Sequence, residues 1–269
     1  MNISDQILLT GGKFIQKYTA TANKTSMVWG DTIAFTITPS PVLKANKQIF
    51  WKLIGNTTIT SSMVRSGGIQ GSPTMVANTP LTVTLVTDVV KTSGLQIRLV
   101  MAETSADLTA GTYKASSPLV NMTISPTSSA TLSTVGSSTW TVPTNVYKIT
   151  ATIDAAGGGA GGPYFFYGST GGPGGNGGRI TYTVYTTPGT QYGYTVGSGG
   201  QGGGDALNGS SGTNSVFNNN TAIAGGGGFS SSVRGGLGAS GTNGGNGLGS
   251  PGGQTSGATG TNGKIVINW

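Results

Sequence analysis

Glycine is spread too unevenly along this chain for one kind of fold. Residues 1–156 of the 269 carry 10 of the 49 glycines, and residues 157–263 carry the other 39. An ordered glycine loses more backbone freedom than any other residue. The second part therefore needs a dense source of order, or it stays a coil. The stretch "GLGASG", with Gly236, Gly238 and Gly241, matches G-x-G-x-x-G. A dinucleotide loop needs a strand before that motif and a helix after it. Upstream "GGGGFSSSVR" makes a poor strand. Downstream "TNGGNGLGSPGG" cannot hold a helix, at about 1 kcal/mol lost per glycine. A Walker loop fails too, because Gly263-Lys264 is followed by Ile265. Collagen needs proline and an unbroken triplet. Gly235, Gly238, Gly241, Gly244 and Gly247 keep the period, but Ser250 breaks it and no proline comes before Pro251.

Gly/Ser-rich chains by default form flexible linkers. Here the glycine tracts alternate with strand-like runs, "RITYTVY", "QYGYTV", "NSVFNN" and "KIVINW". Several tracts also repeat every three residues: Gly171, Gly174, Gly177; Gly172, Gly175, Gly178; Gly197, Gly200, Gly203. A polyproline-II-type helix has three residues per turn and points its N–H and C=O groups outward. Without Cβ atoms, such helices approach closely and bond backbone to backbone. We therefore expect strands plus polyglycine-II-like helices in residues 139–269.

The first part alternates with period two, the pattern of half-buried strands. "TIAFTIT" puts Ile33, Phe35 and Ile37 on one face; "LTVTLVT" and "LQIRLVM" repeat the pattern, and "IFWKLIG" centres on Trp51. No segment shows a helical period. The fold class expected is all-β, with an Ig-like β-sandwich over 21–125. Ser/Thr-rich residues 126–138 read as a linker. Residues 1–20 read as an arm whose Ile7, Leu8, Leu9, Phe14 and Ile15 are candidates for attachment to a partner.

Composition narrows the chemistry. The chain has no histidine and no cysteine, which removes the commonest general base and metal ligands. Asp154 and Asp205 are the only carboxylates after residue 107, and nothing in the sequence brings them together. We expect no enzyme, no cofactor and no metal. The formal charge is +7 but the basic residues are scattered, so no nucleic-acid partner is expected. The opening "MNISDQILLTGGKF" has no basic n-region, and we expect no secretory signal.

"WGDTIAFTITPSPVLKANKQIFWKLIG" resembles a segment of the Ig-like and Calx-β-like sandwiches of phage structural proteins. The Calx-β calcium set is not carried over, because Asp31, Asp88, Glu103 and Asp107 are dispersed. "TWTVPTNVYKITATIDAAGGGAGG", "TPGTQYGYTVGSGGQGGG" and the terminal "NGKIVINW" resemble, in order, the glycine-rich domains of phage tail-fibre and adhesin proteins. The resemblance implies a virion protein. It supports a tail-fibre adhesin and a capsid decoration or head-fibre protein together without separating them, and a cellular surface or matrix protein is the third class beside them. Expected partners are other virion proteins (fibre, baseplate or capsid) and a host surface glycan or outer-membrane protein. Virion context also predicts homo-oligomers or symmetric docking. Receptor-binding candidates are the aromatic row Tyr164, Phe165, Phe166 and Tyr167, the group Phe217, Asn218, Asn219 and Asn220, and Phe229 with Arg234. Exposed aromatics anchor partners, and asparagines offer both donors and acceptors to sugars.

Overall fold

The computed structural model describes residues 16–90, 92–163, 171–230 and 257–269. Ile7, Leu8, Leu9, Phe14 and Ile15 lie outside them, as does the whole "GLGASG" stretch. The chain divides into two compact units, residues 1–125 and 126–269.

The first unit is a two-sheet sandwich. One sheet runs in the order β1 (Lys17–Ala22), β3 (Thr32–Ser40), β9 (Leu81–Thr87), β6 (Val64–Ser66). The other runs β2 (Ser26–Val28), β12 (Val120–Thr123), β10 (Leu95–Ala102), β5 (Phe50–Gly55), β7 (Gln70–Gly71), with β11 (Ala115–Ser116) also on β10. A short pair, β4 (Lys47–Gln48) and β8 (Thr74–Met75), stands apart. Period-two alternation turns Ile33, Phe35 and Ile37 inward from one sheet and Trp51, Leu53, Ile97 and Leu99 from the other, into one core. The Trp29 indole N–H donates to Thr92 O at 3.1 Å, so its ring is buried without losing a hydrogen bond. The sequence suggested no helix, yet α1 spans Ser105–Ala110. Six residues are too few to show a period. The helix is held by its ends: Thr104 accepts from Asp107 N, and Gly111 closes it at φ 77°.

Two sequence boundaries move. β1 begins at Lys17, so the last residues of the expected arm belong to the sandwich. The expected linker 126–138 contains β13 (Ser129–Leu132) and the start of β14 (Gly136–Thr141). β13 pairs with the C-terminal strand β20 (Lys264–Asn268), Ser129 opposite Asn268. Its partner lies more than a hundred residues away, and its outward Ser and Thr side chains read locally as a linker.

The second unit has two four-stranded sheets. One is β13, β20, β15 (Lys148–Asp154), β16 (Arg179–Tyr185). The other is β14, β17 (Gln191–Val196), β18 (Ser215–Phe217), β19 (Asn220–Ala222). Their core joins Ile149, Ile153, Val196, Phe217, Ile265 and Ile267.

Six described glycine tracts leave one end of these strands: tract one (155–163), two (171–178), three (197–204), four (207–214), five (223–230) and six (257–263). They carry no α or 3-10 helix, and they bond to each other rather than within themselves. Tract one is the hub. Ala155, Ala156 and Gly157 donate to Gly178, Thr213 and Thr261, in tracts two, four and six. Gly158, Gly159 and Ala160 repeat the rotation to Gly175, Ser210 and Ala258, and Gly161 and Gly162 continue it to Gly172 and Leu207. These eight bonds run from 2.8 to 3.4 Å. Successive donors thus return to the same neighbouring tract every third residue. The described tracts are assigned no helix, so the expected polyglycine-II-like helices are not shown; what the tracts show is a three-residue bonding period inside an all-β chain. Tract one also accepts from Gly200 and Gly203 of tract three and from Gly225 and Gly228 of tract five.

Close approach explains the residue type. A Cβ on Gly158 would overlap the Gly226 carbonyl, and one on Gly159 the Gln201 carbonyl. Gly197, Gly200 and Gly203 are buried, as their period implied, while Gln201 between them is exposed. Side chains in the outer rows cap neighbouring amides: Ser210 Oγ accepts from Gln201 N and Asn214 Oδ1 from Ala224 N.

Candidate functional site

The described tract ends away from the strands lie together as one tip. Ala206 N donates to Pro163 O, Gly172 N to Phe229 O, and Gly257 N to Gly161 O. Ser230 N donates to Asn208 Oδ1 at 2.8 Å. These bonds place Pro163, Gly172, Ala206, Asn208, Phe229 and Gly257 together. The turn from tract three to tract four is tight, with Ala206 at φ 58°.

Among the described residues, two large apolar side chains are exposed at this tip, Leu207 at 63% and Phe229 at 42%. They sit on adjacent tracts, because Ser230 bonds Asn208. Asp205 is the only charged residue between tracts three and four. Such an end can hold an apolar or aromatic surface by burial. Phe229 was a sequence candidate; Leu207 was missed. Its signal was a lone leucine in "DALNG" between glycine tracts. Tyr164, Phe165, Phe166, Tyr167 and Arg234 lie outside the described residues, although the flanking Pro163, Gly171 and Ser230 belong to the tip.

The second candidate group lies elsewhere, in the strands, and its Phe217 is corrected. Phe217 is fully buried, with its ring 5.5 Å from Tyr192, 6.2 Å from Trp140 and 6.5 Å from Tyr182. It is a core residue and offers nothing to a receptor. Asn218 and Asn219 have φ 46° and 62° and form the β18–β19 turn. Both central residues of such a hairpin need positive φ, which asparagine tolerates. Asn220 folds its side-chain amide back onto Asn218 O. Burial pushes the Tyr182 hydroxyl above the usual tyrosine range, and it donates to Phe217 O at 3.1 Å.

The base of the hub is fixed by charge. Asp154, the last residue of β15, has a side chain only 2% exposed. It accepts Arg179 Nε at 2.5 Å and the second guanidinium nitrogen at 2.9 Å. Lys264 stands 3.8 Å away on the other side. Those hydrogen bonds raise the Arg179 guanidinium further above its ordinary value. Asp154 and Asp205 lie at opposite ends of the tracts and form no carboxylate pair.

No curated protein matches the chain. A family model described as a glycine-rich domain matches residues 131–266. That span holds half of the chain and all six described tracts, and the chain belongs to this glycine-rich domain family.

Proposed function

We propose that the protein is a bacteriophage virion structural protein, a tail-fibre or adhesin component that meets the host surface with the tip of its glycine lattice. The observation that carries this reading is the convergence of the described tract ends, with Leu207 and Phe229 exposed among them. A bundle bonded through its backbone is a rigid stem, and its tip lies beyond the tract-to-tract approach that excludes side chains. The ordered match of three motifs to glycine-rich fibre domains supports the same reading. The two-sheet sandwich supports reading the first unit as an Ig-like module facing other virion proteins. The partner at the tip is a host glycan or an outer-membrane protein.

The test is host-cell binding by the purified protein and by the double variant Leu207→Ala/Phe229→Ala. Loss of roughly tenfold or more in affinity is expected, since two hot-spot side chains each contribute about 1 kcal/mol or more. Unchanged binding by a folded variant overturns the tip assignment. Electron microscopy of intact particles separates the fibre from the alternative, a capsid decoration protein. Copies at tail fibres support the adhesin, and copies at capsid symmetry positions support decoration.

A further inference from the structure

Three Asn-Gly pairs lie in the described tracts, at 176–177, 208–209 and 262–263. The last two share an arrangement that bears on their chemistry. Gly209 N donates to Gly228 O at 2.8 Å, and Gly263 N donates to Gly197 O at 2.9 Å. The side chains just before them are also engaged. Asn208 Oδ1 accepts from Ser230 N and Asn262 Oδ1 from Gly199 N, both at 2.8 Å.

Asparagine followed by glycine is prone to cyclise, because the next amide carries no Cβ to hinder it. The glycine nitrogen attacks Asn Cγ and closes a five-membered succinimide. The Cγ–Nδ2 bond breaks, and ammonia leaves with the amide proton. Water then opens the ring at either carbonyl, giving aspartate or isoaspartate. In the tracts both reacting groups are occupied. Ring closure at either site must break the glycine's bond to the neighbouring tract and swing the asparagine off the amide that it serves.

We infer that Asn208 and Asn262 are latent deamidation sites held unreacted by the glycine lattice, so that their conversion records lattice opening irreversibly. Isoaspartate adds a carbon to the backbone and puts the three-residue register out of step. A tract converted in this way cannot re-form the same bonds. The site is thus a one-way marker of a stem that has opened.

Peptide mass spectrometry of the full chain, incubated in buffer and in denaturing urea, reads both positions. Conversion at 208 and 262 should be at least about tenfold slower in the native protein, which corresponds to an opening cost of about 1.4 kcal/mol or more. Native and unfolded rates agreeing within about twofold would overturn the inference, with the opening cost then near zero. No conversion in urea would also overturn it. A variant such as Gly159→Ala should speed both sites in native buffer. Should that variant not fold, a series of sub-denaturing urea concentrations on the unaltered chain serves instead. The two rates should then rise together with hydrogen exchange at the Gly159 amide, and rates indifferent to urea refute the idea.

Discussion

At Gly159 a single methyl group decides between order and disruption. Its Cβ would overlap the Gln201 carbonyl, which is backbone and cannot rotate away. Gly159→Ala should destabilise the second unit by about 3 kcal/mol, the upper range for overpacking. Gly193 in β17 makes the control, since a Cβ there meets nothing within 4 Å. Gly193→Ala should leave the urea midpoint unchanged or raise it slightly, through a less flexible unfolded chain. The Asp154–Arg179 pair gives a second residue-scale expectation. Removing a partner from a fully buried pair costs about 3–5 kcal/mol, but the Arg179 side chain is 41% exposed, so about 2 kcal/mol is expected for Arg179→Ala. Urea titration of each variant measures these values. Single residues were partly legible in the sequence. The glycine period named the buried row Gly197, Gly200, Gly203, because a missing Cβ is a local property. Phe217 was misread, because only the sheets show that Trp140 and Tyr192 close over it.

Among the elements, β20 ties the second unit together, since it lies between β13 and β15. Its Ile265 and Ile267 are fully buried, and their burial contributes about 3–6 kcal/mol. That is comparable to the whole stability of a typical domain. Deleting Lys264–Trp269 should therefore abolish slow hydrogen exchange across Gly157–Gly162, even though these residues are far away in sequence. Retained protection there would show that the tracts hold without their strands. In the sandwich, Tyr18 and Lys47 both donate to Glu103 Oε1, at 2.8 and 2.5 Å. Burial alone would raise the Glu103 pKa, but the hydrogen bonds from Lys47 and Tyr18 outweigh it and hold the carboxyl low. A lowered carboxyl pKa stabilises the fold above the unfolded value and loses that contribution as pH falls through the folded one. Glu103→Gln should thus cost about 1 kcal/mol at neutral pH, as a partly exposed ion pair does. The difference from the unaltered protein should fade below about pH 4, under the ordinary glutamate value. Thermal melting across that range checks it.

Taken as a whole molecule, the chain keeps its charge out of the glycine unit. Residues 126–269 carry Lys148, Asp154, Arg179, Asp205, Arg234 and Lys264 as their only charged side chains. Polar character there comes mainly from hydroxyls and amides. Added salt should shift the unfolding of this unit little, because screening acts on charges, and a large shift would point to ionic contacts beyond Asp154. The amino-acid sequence by itself determined the all-β class, the inward faces of the first sandwich, and the three-residue bonding period. All three follow from local sterics: alternation along a strand, and close approach where a Cβ is missing. Tertiary structure alone decided that tract one is the hub, that β13 pairs with β20, and that the described tract ends share one tip beside Leu207 and Phe229. "AAGGGAGG" in tract one is small on every face, a sign of neighbours all around, yet it names none of them. A backbone donor fits any carbonyl equally well, so its partner is selected only when distant segments pack cooperatively.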